Sequence, residues 1–142
     1  MSGMPLTQLL REPRLRMIFL LGICSGFPWV LIGSAMTGWL TDAGLSRTSI
    51  GLFGSIFFVY AINFLWAPLV DGFQLPVFRR LGDRKSWIVF LLLVMTLACW
   101  GISQISPQAS MVWLSILAMT IALASATCDI AIDGFRVDSF DP

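Results

Sequence analysis

The chain has 142 residues, of which 57% are hydrophobic and only 12% are charged, and its net charge is +1. A mean hydropathy of +0.84 is typical of a membrane protein and not of a soluble globular domain. The chain has no His, and its three Cys residues lie in separate apolar runs without CxxC spacing: Cys24, Cys99 and Cys128. We therefore expect no metal site, no disulfide framework, no cofactor and no enzymatic activity.

Four apolar segments are long enough to cross a bilayer as helices, which takes roughly 20 residues. They cover residues 17–40, 48–70, 87–105 and 111–135 and are called spans 1 to 4. The first three contain no charged residue, and the connections after spans 1 and 3 are short. The sequence therefore predicts an all-α, polytopic membrane protein with four transmembrane helices.

Span 1 contains glycines and a proline that alter helix packing and shape, and span 2 contains polar residues within the membrane. In span 1, the Gly22–Gly26 spacing permits close approach of a neighbouring helix, and Pro28 predicts a kink. In span 2, Tyr60 and Asn63 lie in the middle of the membrane. Polar groups at that depth usually face the bundle interior, where these two either line a pathway or make interhelical hydrogen bonds.

The distribution of basic residues predicts the orientation. Arg11, Arg14 and Arg16 precede span 1, and four more basic residues lie between spans 2 and 3, whereas the opposite side holds only Arg47. Because loops rich in Lys and Arg stay in the cytoplasm, we expect the N-terminus, the 71–86 loop and the chain end on the cytoplasmic side.

Two carboxylates, Asp129 and Asp133, interrupt the apolar pattern of span 4. A carboxylate at the membrane centre costs roughly 2.5–3.5 kcal/mol, and the nine Val, Leu, Ile and Phe residues of the span return roughly 3–5 kcal/mol in all. The pair therefore lies near the surface or finds partners on other helices. At about 1.5 Å per residue, Asp129 lies roughly 27 Å into the span and Asp133 roughly 33 Å. The deeper Asp129 is the candidate for proton coupling.

Charges from several segments converge at one membrane boundary. Asp71 ends span 2 at the depth of Asp133, and the basic loop lies at the same level. Helical spacing also places Asp129, Asp133 and Arg136 on one stripe, so Arg136 can pair with Asp133. Alternatively, the outermost of these charges only end the helix and extend into water.

Three motifs resemble a known transporter family. They are Ser25-Gly-Phe-Pro28, the Trp66-Ala-Pro-Leu-Val-Asp71 element with the following basic loop, and Ser125-Ala-Thr-Cys-Asp129-Ile-Ala-Ile-Asp133-Gly-Phe-Arg136. Together they resemble the peptide–acetyl-coenzyme A transporter group of the major facilitator superfamily, which includes the AmpG-type muropeptide permeases. The resemblance covers about residues 20–138.

The resemblance implies the first part of a six-helix N-terminal bundle and a gating latch at the cytoplasmic ends of the helices. The latch residues carried over from the family and from the charge pattern are Asp71, Arg79, Arg80, Arg84, Lys85, Asp133 and Arg136. Since such transporters have two six-helix halves, the four spans are expected to be an N-terminal fragment that does not transport alone.

The implied function is secondary, proton-coupled import of anhydromuropeptides or related solutes across the bacterial inner membrane. The alternatives are an acetyl-coenzyme A or drug carrier of the same group, and a small four-helix membrane subunit that pairs with a partner protein. Expected partners are the lipid bilayer, the solute, the proton, and further membrane helices from the missing C-terminal part or another chain. No nucleic acid partner is expected.

Overall fold

A computed structural model describes residues 13–72 and 82–140, without the side chains of Arg14, Asp71, Asp83 and residues 138–140. These residues form helices and short turns, and no strand occurs among them. Four helices are long and apolar enough to cross a membrane: Leu15–Asp42, Arg47–Leu65, Arg84–Ser103 and Met111–Val137. The prediction of an all-α, polytopic membrane fold is confirmed.

Span 1 consists of three consecutive helical segments. An α-helix from Pro13 to Val30 is followed by a π-helical turn, Leu31–Met36, and by a second α-helix, Thr37–Asp42. The departure from α geometry thus begins three residues after Pro28, which lies inside the first helix. A Cβ on Gly26 would meet nothing within 4 Å, so the Gly22–Gly26 pair does not provide a close helix contact at that position.

Span 2 is broken in its second half. Its segments are an α-helix Arg47–Gly54, a 3-10 turn Ser55–Phe57, an α-helix Phe58–Ala61, a 3-10 turn Asn63–Leu65 and an α-helix Ala67–Gly72. The sequence predicts one span through residue 70, but the membrane-length helix ends at Leu65. Pro68 explains the break, because it has no N–H for the carbonyl four residues earlier and is favoured in the first turn of a new helix.

The irregular parts of spans 1 and 2 contact each other. Gly33, in the π-helical turn, lies against the ring of Phe57, and a Cβ at this glycine would come within 2.9 Å of the Phe57 Cζ. Ile32, Met36, Phe53 and other apolar residues around this contact form one buried cluster with span 4. The two departures from α geometry are therefore held together by packing.

Span 4 is the centre of the bundle. It forms one α-helix from Met111 to Phe140, pairs most extensively with the span 3 helix Asp83–Ser103, and also contacts spans 1 and 2. Much of its buried surface is alanine: Ala118, Ala122, Ala124, Ala126 and Ala131 are at most 5% exposed. Small side chains allow neighbouring helix backbones to approach closely, which is how helices associate in a membrane.

A tight turn joins spans 1 and 2. The N–H of Leu45 donates to the Leu40 carbonyl and that of Gly44 to the Thr41 carbonyl, with Gly44 at a φ of 77°. This is a Schellman end, in which glycine adopts the left-handed conformation without strain. Ser46 then caps the next helix by accepting from the Ser49 N–H. We call this end of the bundle, with residues 43–46 and 104–110, the short-turn end.

Candidate functional site

The carboxylate of Asp129 lies between spans 1 and 4 and is half-buried. The Ser25 hydroxyl donates a hydrogen bond to its Oδ1, across 104 residues of sequence. Asp129 is therefore not a helix-end charge in water, because it has a specific partner on another span. A carboxylate inside a membrane span is a group that can take up and release a proton, and such groups mark proton relays in membrane proteins.

Arg136 lies next to this carboxylate on the stripe predicted from the sequence. Its Nη1 is 3.2 Å from the Asp133 Oδ1, which confirms the predicted pairing within the helix. Its Nη2 lies 3.6 Å from where a Cβ of Gly22 would stand, so the guanidinium reaches span 1 beneath Ser25. Because helical side chains lean toward the helix N-terminus, Arg136 leans toward Asp129 and is close enough for its positive charge to act on the carboxylate.

Asp133 itself faces outward. Its side chain is 72% exposed, against 40% for Arg136. Exposed ion pairs contribute between about 0 and 1 kcal/mol, so this pair does little for stability. The two carboxylates of span 4 thus have different surroundings: Asp129 is held inside the bundle and Asp133 is in contact with its exterior.

Tyr60 and Ser125 place two further hydroxyls beside Asp129. Tyr60 is close enough to Ser125 to interact with it, and it is close enough to Asp129 for an electrostatic interaction. Both hydroxyl oxygens are buried, and neither has a partner in hydrogen-bond geometry within the described part of the chain. The Tyr60 ring is held by Trp29, whose ring centroid lies 5.7 Å away. We call Ser25, Tyr60, Ser125 and Asp129 the polar cluster.

The break in span 2 faces span 4, the helix that carries Asp129. Asn63 lies in its 3-10 turn and is half-buried. The Trp66 Nε1 donates to the Thr127 Oγ1 at 3.1 Å, which fixes the break against span 4. Broken helices at membrane depth are tolerated where the backbone is covered by protein or lines a cavity. The contribution of Asn63 to a pathway stays a prediction.

The basic residues at the start of span 3 pack on the end of span 4. The guanidinium of Arg84 lies so close to Gly134 that a Cβ at that position would collide with it. The Lys85 Nζ lies 5.7 Å from the centre of the Phe135 ring, a cation–π distance. Arg79 and Arg80 lie outside the described residues, and the side chain of Asp71 is not described. The latch therefore stays a prediction.

A helical, multi-pass membrane protein that holds a carboxylate between its spans is the class that the fold and the polar cluster define. The family model described as acetyl-coenzyme A transporter 1 matches residues 15–111 of the chain. The chain belongs to this family. The match includes spans 1 to 3 and ends at the first residue of span 4.

Curated relatives extend the likeness through span 4. A Rickettsia felis protein, named provisionally as transporter AmpG 4, is 37% identical over 138 residues, which cover 97% of this chain and 33% of the relative. The anhydromuropeptide permease of Escherichia coli K12 is 29% identical over 131 residues, which cover 92% of this chain and 26% of the permease. The chain thus spans about a third or less of the length of these relatives.

Proposed function

We propose that this chain acts as part of a secondary transporter of the major facilitator type, which imports anhydromuropeptides or related solutes together with protons. The hydrogen bond between Ser25 and Asp129 carries the proposal, because it places a protonatable side chain between two membrane spans. The names of the relatives support the transport class, and that of the Escherichia coli relative supports the solute. Further membrane helices, in the same chain or another, complete the pathway.

Coupling requires that protonation of Asp129 changes the contact between spans 1 and 4. An ionised Asp129 accepts the Ser25 hydrogen bond and attracts Arg136, whereas a neutral carboxyl no longer attracts the guanidinium. A hydrogen bond to a charged group is worth roughly 1.5–3 kcal/mol, about twice a neutral one. Binding of a proton therefore weakens the attachment of span 1 to span 4, which biases the relative position of the two helices.

A chimeric permease tests the transport class and the solute. We expect that this chain, replacing the segment it matches in the Escherichia coli permease, restores anhydromuropeptide uptake in permease-deficient cells. Uptake of labelled anhydromuropeptide measures the result, and the chimera carrying Leu114→Arg, a charge at a fully buried core position, is the inactive control. A correctly inserted chimera that takes up acetyl-coenzyme A but no muropeptide would contradict the proposed solute.

The same proposal places the protein in the bacterial inner membrane with its N-terminus in the cytoplasm and the short-turn end outside. Single-cysteine variants in a background without the three native thiols test this. We expect Thr41→Cys, at an exposed position two residues before the short-turn end, and Gln104→Cys, at an exposed position within it, to react with an impermeant thiol reagent added to intact cells. Gly72→Cys, at the exposed opposite end, is expected to react only after lysis. The reverse pattern would invert the orientation.

A further inference from the structure

The two unpartnered hydroxyls of the polar cluster are unusual within their own bundle. On span 4, the hydroxyls of Ser115, Thr120 and Thr127 each donate to the carbonyl four residues earlier, at 2.7–2.9 Å. Ser125 is 1% exposed and makes no such bond. Its hydroxyl is instead close enough to Tyr60 for the two groups to interact, although they do not meet hydrogen-bond geometry. A buried hydroxyl that gives up this bond is unfavourable unless another group satisfies it.

Tyr60 and Ser125 lie at similar depths in the membrane, and Asp129 lies deeper. Counted from the short-turn end, Tyr60 is 13 residues into span 2 and Ser125 is 14 residues into span 4. At about 1.5 Å per residue both lie roughly 20 Å deep, and Asp129 lies one helical turn deeper. The hydroxyl pair therefore stands between the short-turn end and the carboxylate.

We propose that Tyr60, Ser125 and Asp129 form a binding site for one water molecule, and that this water delivers protons to Asp129 from the short-turn side. A buried water typically makes about three hydrogen bonds to polar groups that otherwise lack partners, and these three side chains supply that number. The water accepts one proton and passes one to the carboxylate, so its composition is unchanged and Asp129 becomes neutral. The proton-delivery role rests on the proposed function, whereas the water site does not.

The chain offers a direct spectroscopic test, because Tyr60 is its only tyrosine. Ultraviolet resonance Raman reports through the tyrosine doublet whether a phenol is hydrogen-bonded. We expect the 142-residue chain in lipid vesicles to show a hydrogen-bonded phenol, and Ser125→Val to shift the doublet to that of an unbonded one. Ser115→Val, which removes a hydroxyl bonded within its own helix, is the matched control and leaves the doublet unchanged.

Radiolytic labelling in ¹⁸O-water separates water from a direct hydrogen bond between Tyr60 and Ser125. A resident water gives rapid ¹⁸O incorporation at Tyr60, whose hydroxyl oxygen is buried, and Ser125→Val slows it about tenfold, which corresponds to about 1.4 kcal/mol in water occupancy. A hydrogen-bonded phenol that is labelled no faster in wild type than in Ser125→Val would overturn the water site. So would an unbonded phenol in the wild type.

Transport by the chimeric permease tests proton delivery separately. We expect Tyr60→Phe and Ser125→Val to slow proton-driven uptake about tenfold while solute exchange, which needs no net proton movement, stays within twofold. Equal loss of uptake and exchange would mean a structural role and overturn the delivery role. Concentrative uptake that survives in Asp129→Asn would instead contradict the proposed coupling, and the Raman and labelling results would still decide the water site.

Discussion

Replacing Asp129 with Asn is expected to abolish concentrative uptake by the chimeric permease while leaving solute exchange intact. Asn keeps the size of the side chain and can still accept from Ser25, but it cannot carry a proton or attract Arg136. One charge moved across a membrane potential of about 100 mV supplies about 2.3 kcal/mol, enough to concentrate a neutral solute roughly 50-fold. Without the proton, the internal concentration should only equal the external one.

Asp133→Asn is the matched control for this result. The two residues have the same chemistry and lie on the same helix one turn apart, but Asp133 is 72% exposed and pairs with Arg136 at the surface. We expect its variant to accumulate solute to the wild-type level, at a rate reduced by the loss of an exposed ion pair. Accumulation ratios, measured with and without a protonophore, decide the case. Equal, gradient-driven accumulation by both variants would remove Asp129 from the mechanism.

Gly134→Ala is expected to slow transport about tenfold, because it removes the space in which the Arg84 guanidinium lies. Gly→Ala inside a helix by itself stabilises by up to about 1 kcal/mol, so a loss of function would have to come from the displaced guanidinium. A tenfold rate change corresponds to about 1.4 kcal/mol, within the range found for residues in direct contact. Gly26→Ala, with open space at its Cβ position, is the control and should change the rate less than twofold.

A double-mutant cycle identifies Arg84 as the cause. If its position over Gly134 is what matters, Gly134→Ala has no further effect in an Arg84→Ala background, and the two changes are strongly non-additive. Additive effects would mean that Gly134 acts through its own helix, and Arg84 would lose its place in the proposed latch. Initial uptake rates of the four proteins, at equal amounts in the membrane, give the coupling.

The sequence predicted the membrane fold well because hydrophobic length is a local property of the chain. The observed spans begin or end within five residues of the predicted boundaries, with the largest difference at Leu65. A proline predicts that a helix is irregular but not which geometry the irregularity takes. The sequence did not predict that Pro28 precedes a π-helical turn or that Pro68 lies at the start of a new helix. The form depends on neighbours, such as Phe57 against Gly33 and Thr127 bonded to Trp66.

The polar cluster could be predicted only in part. The depth of Asp129, one helical turn further inside the membrane than Asp133, indicated a partner, and the i, i+3 spacing predicted that Arg136 pairs with Asp133. The identity of the partner was not predictable, because Ser25 is one of many small polar residues and its role depends on how spans 1 and 4 are aligned. Ser125 belongs to the third motif, but its role was not predictable either, because serine in a helix usually bonds to its own backbone.

The turns of the short-turn end limit where this part of the molecule can bend. Gln108 donates its side-chain amide to the Ala43 carbonyl at 3.2 Å, so the turn between spans 3 and 4 is fastened to the turn between spans 1 and 2. A hinge needs backbone angles that are free to change. The short-turn end, where the ends of the four spans meet, has few such angles. Bending should therefore concentrate in the irregular segments Leu31–Met36 and Ile62–Trp66, which lie away from this end. Solute access would then be controlled by movement of the helix segments on the opposite side of the membrane, while the short-turn end stays fixed.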